Sequence, residues 1–203
     1  MPKLALALYI VWYATSFGVR TFIHWRHTGS TGFKGFHGSP GSLPWCAGVS
    51  LSLGFVLVLV APIAALLDWP GGAVLFESPA LHALGAVLVV AGNVGVLLAQ
   101  HGMGDSWRVG VDESETTALV TNGPFAWVRN PIFSFMGVSL VGLWLLLPNV
   151  VAVVAGLLAI AGIEGQVRGV EEPHLLNTHP DSYASYARGV GRFVPGVGRL
   201  TSR

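Results

Sequence analysis

The sequence predicts an all-α integral membrane protein of about five transmembrane helices, and three observations predict it. Only 10% of the residues are charged while 52% are hydrophobic, whereas a soluble domain carries roughly 25% charged residues to face water. The mean hydropathy is +0.63. Several long stretches contain no acidic or basic side chain at all, as the hydrocarbon core of a bilayer demands. The 27 glycines suit helices whose backbones approach closely, although some belong to loops. A net charge of +1 gives no basis for nucleic-acid binding. The lone cysteine, Cys46, excludes an internal disulfide and reads as a small packing residue.

The spans follow from apolar length, since about 20 helical residues cross the hydrocarbon core. The first runs from Leu4 to Val19 and reads as a retained helix, because no small-residue cleavage site leads into a soluble domain. The second, Trp45 to Leu67, is reached through a Gly- and Ser-rich surface loop from Thr28 to Pro44. The third runs from Pro79 to Gln100. From Asn130 to Ile163 there is no Asp, Glu, Lys or Arg, and Pro148-Asn149 near its midpoint reads as the turn of a tight hairpin between spans four and five.

Basic residues are retained on the cytoplasmic side, and here they are one-sided. Arg20, Arg26 and Lys34 follow span one, Arg108 and Arg129 follow span three, and Arg168, Arg188, Arg192, Arg199 and Arg203 follow span five. Lys3 is the exception, and the opposite loop, Asp68 to Ser78, carries two acids and no base. The N-terminus is therefore expected outside and the C-terminus in the cytosol. The polar mass, His101 to Arg129 and Glu164 to Arg203, is brought together by the hairpin, and a charged site belongs there.

In the tail, Arg168, Glu171 and Glu172 are spaced by three and four residues, so a continued helix carries them near one face. They can act together, or Arg168 and Glu172 can form an ordinary surface ion pair. The segment from Leu119 to Phe133 sets a Gly-Pro turn, aromatics and Arg129 against the start of span four. It can wall a ligand pocket, or lie at the headgroups with Phe125 and Trp127 as anchors and Arg129 near phosphates.

These two stretches resemble the isoprenylcysteine carboxyl methyltransferases and their bacterial relatives, which also resemble phospholipid methyltransferases. The resemblance rests on Leu119 to Gly123, on Arg129-Asn130-Pro131-Ile132-Phe133, on Arg168 with Glu171-Glu172, and on Tyr183-Ala184-Ser185-Tyr186. It covers about the C-terminal half; the N-terminal helices match in character. Asn130 stands where the family has His, and Phe125 and Phe133 stand where it has Tyr. The resemblance implies a single membrane methyltransferase domain over 1–203, with three helices in 1–100 and the catalytic core, hairpin and tail in 101–203. It implies S-adenosylmethionine as cofactor, S-adenosylhomocysteine as product, and a bacterial cytoplasmic membrane as location.

By the same resemblance, Thr117, Ala118, Leu119, Val120, Phe125, Asn130, Pro131, Ile132, Phe133, Glu171 and Glu172 line the cofactor. Glu172 is the carboxylate that touches it, Arg168 faces the acceptor, and Arg168, Glu172 and Asn130 are the candidate catalytic groups. Such a site has to align donor and nucleophile and exclude water, with no catalytic triad. Arg168 can hold an acceptor carboxylate or phosphate by a bidentate pair; for a thiol or amine acceptor it is structural. The acceptor is lipophilic: a prenylated cysteine carboxylate, an isoprenoid acid, a lipid amine or a hydrophobic thiol.

Arg108, in Asp105-Ser106-Trp107-Arg108, is a candidate substrate contact or a headgroup contact, and the acidic run Asp112, Glu113, Glu115 reads as a solvated face. His24, His27 and His37 lack a completing Cys or carboxylate, so no metal is expected. His174 and His179 read as surface or packing residues. Gly189-Val-Gly191 and Gly196-Val-Gly198 lack the strand and third glycine of a dinucleotide fingerprint. Two other readings stand beside the methyltransferase. One is an NADPH-dependent membrane reductase of the sterol reductase type, which shares a related helical arrangement. The other is a non-enzymatic scaffold or transporter subunit, disfavoured because the spans carry no buried charge of the kind that marks transport pathways.

Overall fold

The computed structural model describes residues 1–32, 35, 38–107 and 118–201. Among them it contains no strand and six helices longer than one turn, five of them apolar. These are α1 (Pro2–Thr28), α2 (Leu43–Leu66), α3 (Pro79–Met103), α4 (Pro131–Leu146), α5 (Val150–Thr178) and the polar α6 (Pro180–Gly189). The chain is an integral membrane protein, with α1, α2, α3 and α5 long and apolar enough to cross a bilayer and α4 shorter. Large apolar side chains such as Val87, Leu98, Leu157 and Ile160 stand exposed on the helix flanks, where lipid rather than water is the solvent.

Local chemistry sets the helix ends. Ser42 and Ser78 accept hydrogen bonds from the backbone N–H groups of Trp45 and Leu81 at the starts of α2 and α3, each with Pro in the first turn. Asn149 caps α5 by accepting from Ala152 N at 2.8 Å, and its amide donates to Ala61 O of α2 at 3.1 Å. That buried side chain ties the Pro148 turn to the end of α2.

Two helices run further than the sequence implied. α1 continues past Val19 for another nine residues, because nothing from Arg20 to Thr28 breaks a helix, and it stops at Gly29 in the left-handed conformation. α5 continues past Ile163 to Thr178, so Glu164, Arg168, Glu171 and Glu172 all ride on it. Each of these two helices contains one widened π turn, Ala14–Val19 in α1 and Val167–Glu171 in α5. In α1 the Ser16 carbonyl in this turn accepts from the Gln100 amide of α3 at 2.8 Å.

The turn between α4 and α5 falls where the sequence places it, but its two helices do not pack tightly on one another. α4 lies along α3 and α5 lies along α2. Glycine makes both seams: a methyl group on Gly85 would come within 2.7 Å of Gly142 O, one on Gly54 within 2.8 Å of Ala159 N, and one on Gly162 within 2.5 Å of Leu51 N. The partners run in descending order, so each pair is antiparallel. α1 fills the centre with Tyr9 and Trp12, and the Tyr9 hydroxyl donates to Phe55 O at 2.7 Å. An apolar groove of about 420 Å³ remains between α4 and α5, lined by Gly137, Trp144, Gly156 and Leu157 among others.

The two kinds of glycine predict opposite outcomes. Gly162→Ala has to push α2 away and should destabilise the protein by about 1–3 kcal/mol. Gly156→Ala, with nothing within 4 Å of the new methyl group, should be neutral or stabilise the helix by up to about 1 kcal/mol. Unfolding in detergent checks the contrast, and equal effects at the two positions would remove the seam.

Candidate functional site

The polar end of the bundle is assembled from the segment before α4, the end of α5, α6 and the tail after it. Asn122, Gly123 (φ +56°) and Pro124 turn the chain into one short helical turn, Gly123–Ala126. Pro131 then starts α4. Between them Arg129 points inward: its side chain is 1% exposed, while Trp127 two residues earlier is 72% exposed. Of the headgroup reading for this segment, Trp127 fits, whereas Phe125 and Arg129 are buried.

Arg129 and Arg192 clamp Glu172. Arg129 Nη2 donates to Glu172 Oε1 at 2.6 Å, and Arg192 takes the same carboxylate with a fork, Nε to Oε1 and Nη2 to Oε2, both at 2.8 Å. Three further Arg129 hydrogen bonds go to backbone carbonyls: Nη1 to Ala187 O at 3.1 Å and Val190 O at 2.5 Å, Nη2 to Gly198 O at 3.1 Å. Arg129 Nε is buried without a partner. Charge-assisted bonds of this kind are the strong ones, and the hydrogen bonds to Glu172 hold the Arg192 guanidinium above its usual pKa.

The tail docks by its backbone as well. Arg129 N donates to Gly191 O at 2.8 Å, Asn130 N and Nδ2 both donate to Arg192 O, and Ser134 Oγ donates to Phe193 O at 2.7 Å. The Tyr186 hydroxyl donates to Phe125 O at 2.5 Å and its ring meets Tyr183 edge-on. Burial, reinforced by the Glu172 charge, pushes the Tyr183 phenol up to about 12, and burial beside Tyr183 does the same to Tyr186.

The structure thus brings Phe125, Asn130 and Glu172 together around the tail, with Pro131 buried beside them. Ile132 and Phe133 are half-buried and pack on the central core. Leu119, Val120 and Glu171 are half-buried and Ala118 is exposed. Arg168 does not join Glu172: its side chain is 60% exposed and pairs with Glu164, one turn back, the favoured order for a helical Glu–Arg pair. Thr117 and Arg108 lie outside the described residues, as do Lys34, His37, Asp112, Glu113, Glu115 and Arg203. Of the histidines, His24 is buried edge-on to Trp107 and His27 is exposed. Among the described residues no three of His, Cys, Asp and Glu converge as a metal site would need.

Two residues of the clamp escaped the sequence reading. The sequence puts Arg129 in a segment that either walls a pocket or lies at the headgroups, and Arg192 only among the basic residues of the tail, with neither marked as a partner of Glu172. Their contacts to Glu172 span 43 and 20 positions, beyond any helical periodicity, so the Arg-Asn-Pro motif beside α4 is the one local signal.

The cofactor-holding groups on offer are a fixed carboxylate, the Asn130 amide oxygen and apolar walls. A carboxylate has about four acceptor positions, and three on Glu172 are taken, leaving one on Oε2. The apolar groove between α4 and α5 offers no such groups, so the candidate site is the polar end and not the groove.

An apolar bundle that keeps a buried ion cluster at one end defines a membrane protein whose polar groups are gathered at that end. Residues 80–182 match the phospholipid methyltransferase family, and the chain belongs to that family, one of membrane methyltransferases. The match takes in α3, α4, α5 and the start of α6. No curated protein matches the chain.

The clamp predicts unequal costs. Arg129→Ala leaves Glu172 short of a buried partner and should destabilise by about 3–5 kcal/mol, whereas Arg168→Ala breaks an exposed pair worth about 0–1 kcal/mol. Detergent unfolding of the two variants checks it, and a small effect at Arg129 would contradict the buried clamp.

Proposed function

We propose that the protein transfers a methyl group from S-adenosylmethionine to a lipophilic acceptor at the cytosolic face of the membrane. The observation that carries it is the fixed carboxylate of Glu172, held beside the start of α4 in a chain of a methyltransferase family. The one-sided basic residues support a cytosolic site, with the N-terminus outside and the C-terminus inside. We further read 1–203 as one domain of a bacterial cytoplasmic membrane, in the branch nearest the isoprenylcysteine carboxyl methyltransferases.

The residues fit this cofactor by their chemistry. It is a cation bearing hydroxyls, an ammonium and an aromatic base, and it supplies, when bound, a methyl group on sulfur that leaves by in-line displacement. Glu172 would accept a hydrogen bond from it at the open position on Oε2, and Asn130 would accept a second through Oδ1. Phe125, Leu119 and Val120 would give apolar cover, with Pro131, Ile132 and Phe133 bordering at the start of α4, and Ala118 and Thr117 leading into the segment. Two guanidiniums against one carboxylate leave an excess positive charge, which Glu171, next to Glu172 in the chain, would offset.

Arg168 would meet an anionic acceptor group. Its exposed pair with Glu164 is weak enough in water to exchange for a ligand carboxylate or phosphate, and Arg108 would be a second contact. The acceptor's hydrocarbon part would enter from the bilayer while the cofactor arrives from water. Gly137, at the near edge of the α4–α5 groove, lies about 9 Å along the helix from Pro131, so an apolar chain can lie there.

Calorimetric titration of the detergent-purified protein with S-adenosylhomocysteine and, separately, NADPH tests this reading. Micromolar binding of the first alone is expected; binding of NADPH alone would make the protein a reductase. Glu172→Gln should weaken S-adenosylhomocysteine binding about tenfold in a protein that still folds but melts lower, since buried Arg129 loses its counter-charge, and unchanged affinity would take Glu172 out of the site. Arg168→Ala should alter acceptor KM more than cofactor affinity, and the reverse result would undo its assignment.

A further inference from the structure

The family match ends at residue 182, yet the tail beyond it reaches into the candidate site. From Gly191 to Gly198 the chain lies against the turn before α4. Val128 and Gly191 form a parallel bridge, and Gly191 O, Arg192 O and Phe193 O accept from Arg129 N, Asn130 N and Ser134 Oγ. The tail also closes on itself and on α6, with Arg192 N donating to Val197 O and Leu200 N to Ala187 O. A methyl group on Gly191 would come within 2.7 Å of Gly196 N, so the turn closes without a side chain there. This scaffold delivers the Arg192 guanidinium as a planar fork onto both oxygens of Glu172.

We infer that Arg192 is a positioning residue for cofactor binding: its fork fixes the carboxylate plane of Glu172, so that the open acceptor position on Oε2 keeps one direction. The inference rests on the proposal that Glu172 touches the cofactor. Arg129 cannot do this alone, because it bonds a single oxygen through a single nitrogen and leaves the carboxylate free to turn about that contact. A fork of two parallel bonds removes that freedom. The tail beyond the family match is therefore a working part of the site, and it specifies the direction in which a ligand hydroxyl or ammonium must approach.

Lysine at this position separates positioning from folding. The hydrogen bonds that dock the tail use the Arg192 backbone, which Arg192→Lys leaves in place, and the positive charge stays beside Glu172. An ammonium is a point charge that cannot span both oxygens in a plane.

The experiment is a double-mutant cycle on the full-length protein in detergent, using Arg192→Lys, Glu172→Gln and the double variant. Each is titrated calorimetrically with S-adenosylhomocysteine and its thermal midpoint recorded. Arg192→Lys should weaken binding about tenfold while its midpoint stays near that of the wild type. In the Glu172→Gln background the same substitution should change affinity less than about twofold, because the group through which it acts is gone. If Arg192→Lys binds as the wild type does while Glu172→Gln is weakened, the positioning role is overturned and the cofactor reading stands. An equal loss in both backgrounds also overturns it, since Arg192 would then act on the fold and not through Glu172. A wild-type protein that does not bind S-adenosylhomocysteine removes the cofactor reading and this inference with it, whereas a Glu172→Gln variant that binds it normally takes Glu172 out of the site and overturns this inference alone.

Discussion

A carboxylate taken out of water beside a membrane has to be matched, and the polar end of this protein is organised around matching Glu172. Stripping water from one such ion costs several kcal/mol, and its partner's attraction repays this only with good geometry and further hydrogen bonds. Arg129 meets the carboxylate, but its guanidinium then needs acceptors of its own. Those are the carbonyls of Ala187, Val190 and Gly198, which exist at the right place because α6 ends at Gly189 and the tail turns back. The shape of the tail is thus a consequence of burying Arg129. Tyr183 and Tyr186 close the same space as neutral phenols, and the second secures the segment before α4 through Phe125 O.

The apolar part of the molecule decides where that end can be. Glycine seams pair α3 with α4 and α2 with α5, so the two helices joined at Pro148 are held apart by their separate partners. One result is the apolar groove between them. Another is that the start of α4 and the far end of α5 sit on different seams, and the gap between them is bridged by side chains rather than by helix packing. The Arg129–Glu172 pair crosses that gap. At the opposite end Asn149 does a neutral version of the same task, joining the turn to Ala61 O.

Much of this was legible in the sequence, and the division between what was and was not has physical causes. The spans were readable because the bilayer excludes charge, which leaves a mark in composition over some 20 residues. Their ends were less so: Arg20 and Glu164 leave the hydrocarbon without leaving the helix, and what stops α1 is Gly29 rather than the first charge. The family was readable from short motifs in order across the hairpin. Glu172 and Asn130 stood out in those motifs, but the partners of Glu172 did not, because they are tertiary contacts with no periodicity to betray them. Arg168 shows the converse: its helical spacing allows Glu172 as a partner, but it pairs with Glu164 at the preceding turn while Arg129 and Arg192 take Glu172.

Asn130 is one of three positions where this chain departs from the motif it resembles, and the structure shows what its side chain does there. Its backbone N–H and its side-chain amide both donate to Arg192 O, so one requirement at this position is a donor that docks the tail, which an amide meets without titrating. Against the burial that would raise it, the hydrogen bonds and charges of Arg192 and Arg129 hold the Glu172 carboxyl below its usual pKa, so it stays ionised near neutrality. For the proposed methyl transfer this matters in one direction only. The sulfonium carries its charge at every pH, so the donor needs no protonation switch, and Asn130 cannot serve as a base. The acceptor must therefore reach the site already deprotonated, as a carboxylate does, or lose its proton to a group other than residue 130. In the proposed reaction the site's own contribution would be alignment and charge, which the pairing of Glu172 with two arginines would supply.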